Sequence, residues 1–135
     1  KELGIENYVI FGGAVQNHRL PVFYNACDIF INLARPINKR GWNETEGLGI
    51  VNLEAASCAK PVISSATGGM SETLEHDKSG LFINPQEPAQ LKDAVLHLLR
   101  NRDYTKELSD NARKRIVEFF SQERMRQDLT SLFKA

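Results

Sequence analysis

Residues 46–65, EGLGIVNLEAASCAKPVISS, decide the reading of the fold. From Leu48 to Ala59 the stretch is nearly all small or apolar. Lys60-Pro61 ends it, because proline has no amide hydrogen and clashes with a preceding helical turn. This predicts a buried helix with a fixed stop. The run from Pro61 to Ser65 that follows lacks hydrophobic-polar alternation, so it predicts a strand covered on both faces, as in parallel α/β sheets.

Working outward, the same kind of run recurs. Tyr8 to Phe11 reads as a buried strand stopped by Gly12-Gly13, Asp28 to Leu33 as a second, and Gly80 to Asn84 as a fourth after the one at Pro61. Helices are expected at Arg19 to Ala26 and, for one or two turns, at Ser71 to Glu75. The polar segment 35–45, RPINKRGWNET, contains Gly and Pro without periodicity and predicts a surface loop. Toward the C-terminus, three helical stripes stand out: Leu91, Ala94, Val95, Leu98 and Leu99; then Leu108, Ala112, Ile116, Phe119 and Phe120; then Met125, Leu129, Leu132 and Phe133. Each is expected to pack one face. Alternating strands and helices give an α/β class: a Rossmann-like, doubly wound parallel sheet of about four strands with amphipathic C-terminal helices. Ligands of such sheets sit outside the carboxyl ends of the strands, so the loops to watch are 12–17, 34–49 and 65–71.

Composition excludes several functions. With 135 residues the chain has room for one small domain. Its 17 basic and 17 acidic side chains cancel, so no global field favours nucleic acid or an anionic membrane. Cys27 and Cys58 stand in apolar segments without metal spacing and read as core residues of a reducing compartment. His18, His76 and His97 are scattered and read as plain helix or surface residues. No long apolar stretch marks a signal peptide or membrane span. Leu3 and Gly4 resemble the end of a helix with its C-terminal glycine, and the chain begins without methionine, as a piece of a longer polypeptide would. No G-x-G-x-x-G follows a strand, which disfavours a dinucleotide oxidoreductase. The serines have no G-x-S-x-G setting, which disfavours a hydrolase. Only Asp28 sits beside a strand, so an acidic phosphoacceptor cluster is disfavoured as well.

Glu46-Gly47-Leu48-Gly49 stands in the second loop, directly before the buried helix. Glycines there let backbone approach a ligand, and the free amides and dipole of a helix start favour a phosphate or diphosphate. Glu54, inside that apolar helix, is costly to bury without a hydrogen-bond partner. Vicinal ribose hydroxyls are one such partner; an Arg, a Lys or solvent is the other reading. Lys39 and Arg40 are either loop ligands for an anion or a solvated pair, and Trp42 either packs or touches an acceptor. Glu72 is either an ordinary first-turn acid or a member of the pocket.

The block EGLGIVNLEAASCAKPVIS with the downstream Gly68-Gly69 and Glu72 resembles the E-x7-E block and glycine pair of retaining glycosyltransferases of family 4, the group 1 type with the GT-B fold of two Rossmann-like domains. YVIFGGAV (8–15), FYNACDIFINL (23–33) and SGLFINPQEPAQL (79–91) match further segments of that family in order, so the resemblance covers nearly the whole chain. It is most similar in flavour to mannosyltransferases acting on phosphatidylinositol-type lipids.

The resemblance implies that residues 1–135 are part of a C-terminal nucleotide-sugar-binding domain whose first strands, and whose N-terminal partner domain, lie outside this chain. It implies transfer of a hexose from a GDP- or UDP-sugar to a sugar or lipid acceptor with retained configuration, without a cofactor or bound metal. Glu46 is then the catalytic candidate, contacting donor-sugar hydroxyls. Gly47, Leu48 and Gly49 offer backbone to the diphosphate, Glu54 holds the ribose, Gly12 and Val15 line the base pocket, and Glu72 adds to the donor pocket. A cytoplasmic location follows, with the full-length protein peripheral to the inner face of the membrane. The chain by itself is expected to have little or no transferase activity. In the family's sheet order two strands stand between those at Tyr8 and Asp28; their absence opens a gap of about 14 Å, to be closed by rearrangement, by another copy, or by the rest of the parent chain. Two other functions remain open: a sugar-nucleotide epimerase of the same architecture, and a non-catalytic nucleotide- or protein-binding module.

Overall fold

The computed structural model describes residues 3–35, 37–39, 42–44 and 46–133, and for 37–39 and 42–44 the backbone alone. Its centre is a three-stranded parallel sheet. Phe30–Asn32 (β1) pairs with Val62–Ser64 (β4), which pairs with Leu81–Phe82 (β5). Between β1 and β4 come Ile37–Lys39 (β2) and Trp42–Glu44 (β3), which pair antiparallel with Ile37 opposite Glu44. Segment 35–45, expected as an irregular loop, therefore carries a pair of antiparallel strands, for which Ile37 and Trp42 supply strand-forming residues. Arg40 lies outside the described residues, as do the side chains of Lys39 and Trp42.

The helices are Leu20–Ala26 (α1), Ile50–Ser57 (α2), Met70–Thr73 (α3), Pro88–Arg100 (α4), Arg102–Phe119 (α5) and Gln122–Leu132 (α6). Helix α2 stops before Pro61, as the missing amide hydrogen dictates. Side chains alternate across the sheet. Phe30, Val62 and Phe82 join Tyr24, Ala55, Ala56, Leu74, Ala112 and Ile116 in one cluster. Ile63 and Leu81 join Leu98 and Leu108 in another. This two-sided burial is what the uninterrupted apolar runs specify.

Two expectations fail. Tyr8 to Phe11 is not a buried strand: Glu6–Tyr8 is a single 3-10 turn, residues 9–16 join no strand among the described residues, and Ile10 and Phe11 are 93% and 94% exposed. The residues are strand formers, but no described strand lies beside them to complete a ladder, and an isolated extended segment gains nothing from propensity alone. The sheet ends instead at β1, where Ile31 is 43% exposed. The second failure is α6. Its stripe of Met125, Leu129 and Leu132, continued by Phe133, is exposed, and no residue of α6 joins either core cluster. The first two stripes do pack, through Leu98 on α4 and Leu108, Ala112 and Ile116 on α5. Among the described residues no helix is long and apolar enough to cross a membrane.

Candidate functional site

At the carboxyl ends of β1 and β4, two loops cross in direct contact. Loop 46–49 leads into α2, and loop 65–69 leads from β4 into α3. A Cβ at Gly68 would land on the Glu46 carbonyl oxygen, and one at Gly69 would come within 2.9 Å of the Gly47 carbonyl oxygen. Gly68 also adopts φ +58°, a left-handed conformation that L side chains rarely take. The glycine pair thus lets one loop lie on the backbone of the other. Gly49 caps α2 at φ +71° and is itself buried under Met70 of α3, whose Cγ would be 2.9 Å from a Cβ there.

Among the described residues no side chain caps α2, so the first amides of the helix are left without a side-chain acceptor. The Asn52 amide has a backbone partner instead, donating to the Gly49 carbonyl at 2.8 Å. Below the helix start runs a buried polar chain. Asn32 Nδ2 donates to Asn52 Oδ1, and Asn52 Nδ2 donates to Ser64 Oγ, both at 3.0 Å. Ser65 Oγ donates to the Ala34 carbonyl at 2.7 Å and accepts from the Ala34 amide at 3.0 Å. Together these bonds fasten the ends of β1 and β4 to α2.

Glu54 is half-buried on α2, and its partner is a phenol rather than a cation: Tyr24 Oη donates to Glu54 Oε2 at 2.7 Å. Burial first, and the neighbouring carboxylate second, push the Tyr24 hydroxyl well above its ordinary pKa, so it is a neutral donor at any physiological pH. Glu46 is exposed in its loop, and so are Gly47 and Leu48. Glu72 is exposed on α3, with its carbonyl accepting from Arg115 Nη2 at 3.0 Å; Arg115 also donates to the Thr73 carbonyl and to Glu75 Oε1. Arg115 thereby ties α3 to α5.

The structure gathers Glu46, Gly47, Leu48, Gly49 and the Gly68-Gly69 turn into one site, with Glu54 on the helix behind and Glu72 on the helix beside it. Gly12 and Val15 are not brought in by any hydrogen bond among the described residues; they belong to segment 9–16, which joins no described strand. No group of three or more His, Cys, Asp or Glu that could hold a metal occurs among the described residues. A separate open depression of about 510 Å³, lined in part by Asp28, Ala59, Leu98, Arg102 and Asp110, includes the residues just before β1 and just after α2, away from these loops. Sequence reasoning missed Tyr24, the Asn32–Asn52–Ser64 chain and Arg115. A signal existed for the asparagines, each a strongly polar side chain inside an apolar run. None existed for Arg115, which acts across 42 residues of chain on Thr73.

Comparison with known proteins agrees with this geometry. The profile of the family described as "Glycosyl transferases group 1" matches residues 1–115. A Mycobacterium tuberculosis GDP-mannose-dependent alpha-(1-6)-phosphatidylinositol monomannoside mannosyltransferase is 39% identical over 103 residues, 76% of this chain and 26% of the relative. A D-inositol 3-phosphate glycosyltransferase of Frankia alni is 29% identical over 87% of this chain and 27% of the relative. Among solved structures, sucrose-phosphate synthase from Thermosynechococcus elongatus superposes with TM-score 0.82 at 27% identity. Anabaena HepE in complex with UDP superposes with TM-score 0.83 at 26% identity. Each superposition covers 98% of this chain, and 31% and 34% of the two neighbours. The chain therefore spans about a quarter to a third of the length of these proteins. Its sequence, its parallel α/β sheet and the loops at the strand ends agree: the chain belongs to the group 1 glycosyl transferase family.

Proposed function

We propose that residues 1–135 are the donor-binding part of a C-terminal nucleotide-sugar-binding domain. In the complete protein they would serve transfer of a hexose from a GDP- or UDP-sugar to a sugar or lipid acceptor, with retained configuration. The observation that carries this reading is the crossing of loops 46–49 and 65–69 over an uncapped helix start, with a half-buried carboxylate at Glu54 on the same helix. The uncapped amides of that start suit a diphosphate, whose charge grows as the sugar departs. Glu46, in the loop, is placed to accept from sugar hydroxyls, and Glu54 from the ribose diol. Leu48 and Gly49 present backbone to the phosphates, Gly12 and Val15 border the base, and Glu72 edges the donor pocket. Relatives named for GDP-mannose and a neighbour solved with UDP-glucose support a nucleotide-sugar donor. The mannosyltransferase relative favours a lipid-linked acceptor and a protein working at the membrane face.

The test is calorimetric titration of the complete protein with GDP-mannose, UDP-glucose and UDP-N-acetylglucosamine, repeated with Glu54→Gln. Base-selective binding that weakens about tenfold or more in the variant is expected, since a hydrogen bond to a charged acceptor is lost. Absence of binding to all three donors, or undiminished binding by the variant, would overturn the assignment.

A further inference from the structure

We propose that Tyr24 is a positioning residue for the donor site, fixing one oxygen of Glu54 so that the other faces the nucleotide ribose; this rests on the ribose reading of Glu54. The geometry comes from three elements. Tyr24 stands on α1 at 8% exposure, and its ring meets Phe30 of β1 edge-on at 5.4 Å and 68°. That aromatic contact, with Ala55, Ala56 and Ile116 in the same cluster, holds the ring in one place. From there the hydroxyl reaches Glu54 Oε2 at 2.7 Å.

A glutamate on a helix has three side-chain torsions to settle, and an unheld carboxylate spends that freedom on every binding event. Tyr24 removes it in advance. It also satisfies only half of the carboxylate. Among the described residues no donor reaches Oε1 and no Lys or Arg pairs with Glu54, so that oxygen is an open acceptor. A vicinal diol supplies two hydroxyl donors to such an oxygen. A carboxylate held there only to tie α1 to α2 has no need of a free oxygen, and the apolar packing between these helices already joins them.

The test separates this role from a structural one. GDP and UDP are titrated into the complete protein alongside their 2′,3′-dideoxy forms, using wild type, Tyr24→Phe, Glu54→Gln and the double variant. Tyr24→Phe keeps the ring against Phe30 and removes only the hydroxyl, and circular dichroism confirms that each variant is folded at the titration temperature. The expected result is a loss of about tenfold in affinity for the ribonucleotide in Tyr24→Phe, none for the dideoxynucleotide, and no further loss when Tyr24→Phe is added to Glu54→Gln. If Glu54→Gln shows the diol-dependent loss while Tyr24→Phe binds both forms as wild type does, Tyr24 is not a positioning residue and the ribose reading stands. If Tyr24→Phe lowers the unfolding midpoint but leaves the ribo-to-dideoxy ratio unchanged, its role is structural. If wild type binds both forms equally, the ribose reading of Glu54 itself falls.

Discussion

Asn52 shows how much a single side chain decides beneath the site. It is 0% exposed, and both halves of its amide are used, the oxygen by Asn32 and the nitrogen by Ser64. Asn52→Ala takes the acceptor from half-buried Asn32 and the donor from buried Ser64, whose hydroxyl keeps only its bond to the Ser65 carbonyl at 3.4 Å, at a cost of about 1–3 kcal/mol. Asn52→Leu refills the volume without restoring either bond. A urea titration of both variants is therefore expected to show that Leu recovers little of the stability lost with Ala. Full recovery would mean that the loss was a cavity effect and that the polar chain contributes nothing. At this scale the sequence was only partly legible. Glu54 announced itself as a carboxylate in an apolar helix that needed a partner, but its partner on α1 is 30 residues away along the chain, and residue type alone does not say whether a phenol, a cation or water meets it.

The site depends at the next scale on two loops rather than on one helix. Helix α2 and strand β4 were legible because their signals are local: an apolar run, a proline stop and a β-branched run. The crossing of loops 46–49 and 65–69 was not, since it is a tertiary contact between segments some 20 residues apart. The glycine pair hinted that backbone passes close to something without saying what. Gly68 makes the dependence measurable. Alanine there would drive its Cβ into the Glu46 carbonyl while holding φ at +58°, so Gly68→Ala is expected to lower stability by about 1–3 kcal/mol. It should also weaken nucleotide-sugar binding, because the displaced backbone is that of the 46–49 loop. Gly12→Ala is the control: nothing lies within 4 Å of a Cβ at that position, and its unfolding midpoint is expected to match wild type within about 0.5 kcal/mol. Equal midpoints for the two variants in a denaturant titration would mean that loop 65–69 does not rest on Glu46 in solution.

Across the whole molecule, what the sequence conveyed least well was which apolar surfaces would find a partner. Tyr8 to Phe11 and the stripe on α6 carry the residue types of buried elements, yet both are exposed, and among the described residues β1 is an edge of the three-stranded sheet. Hydrophobic patterning specifies that a face is to be covered; it does not specify by what. An exposed apolar extended segment together with an open parallel edge favours association between copies. The isolated chain is accordingly expected to show a weight-average mass that rises with concentration in sedimentation equilibrium. Replacing Ile10 with Lys and Phe11 with Glu puts opposite charges on the most exposed part of that surface, where neither side chain contributes to the core clusters. The double variant should therefore shift toward monomer with an unchanged unfolding midpoint. A wild-type chain that stays monomeric at every concentration would show that the segment is accommodated within one molecule. Association that persists undiminished in the double variant would instead transfer the role to Met125, Leu129 and Leu132 on α6, whose substitution by Lys would then be the change that dissociates the copies.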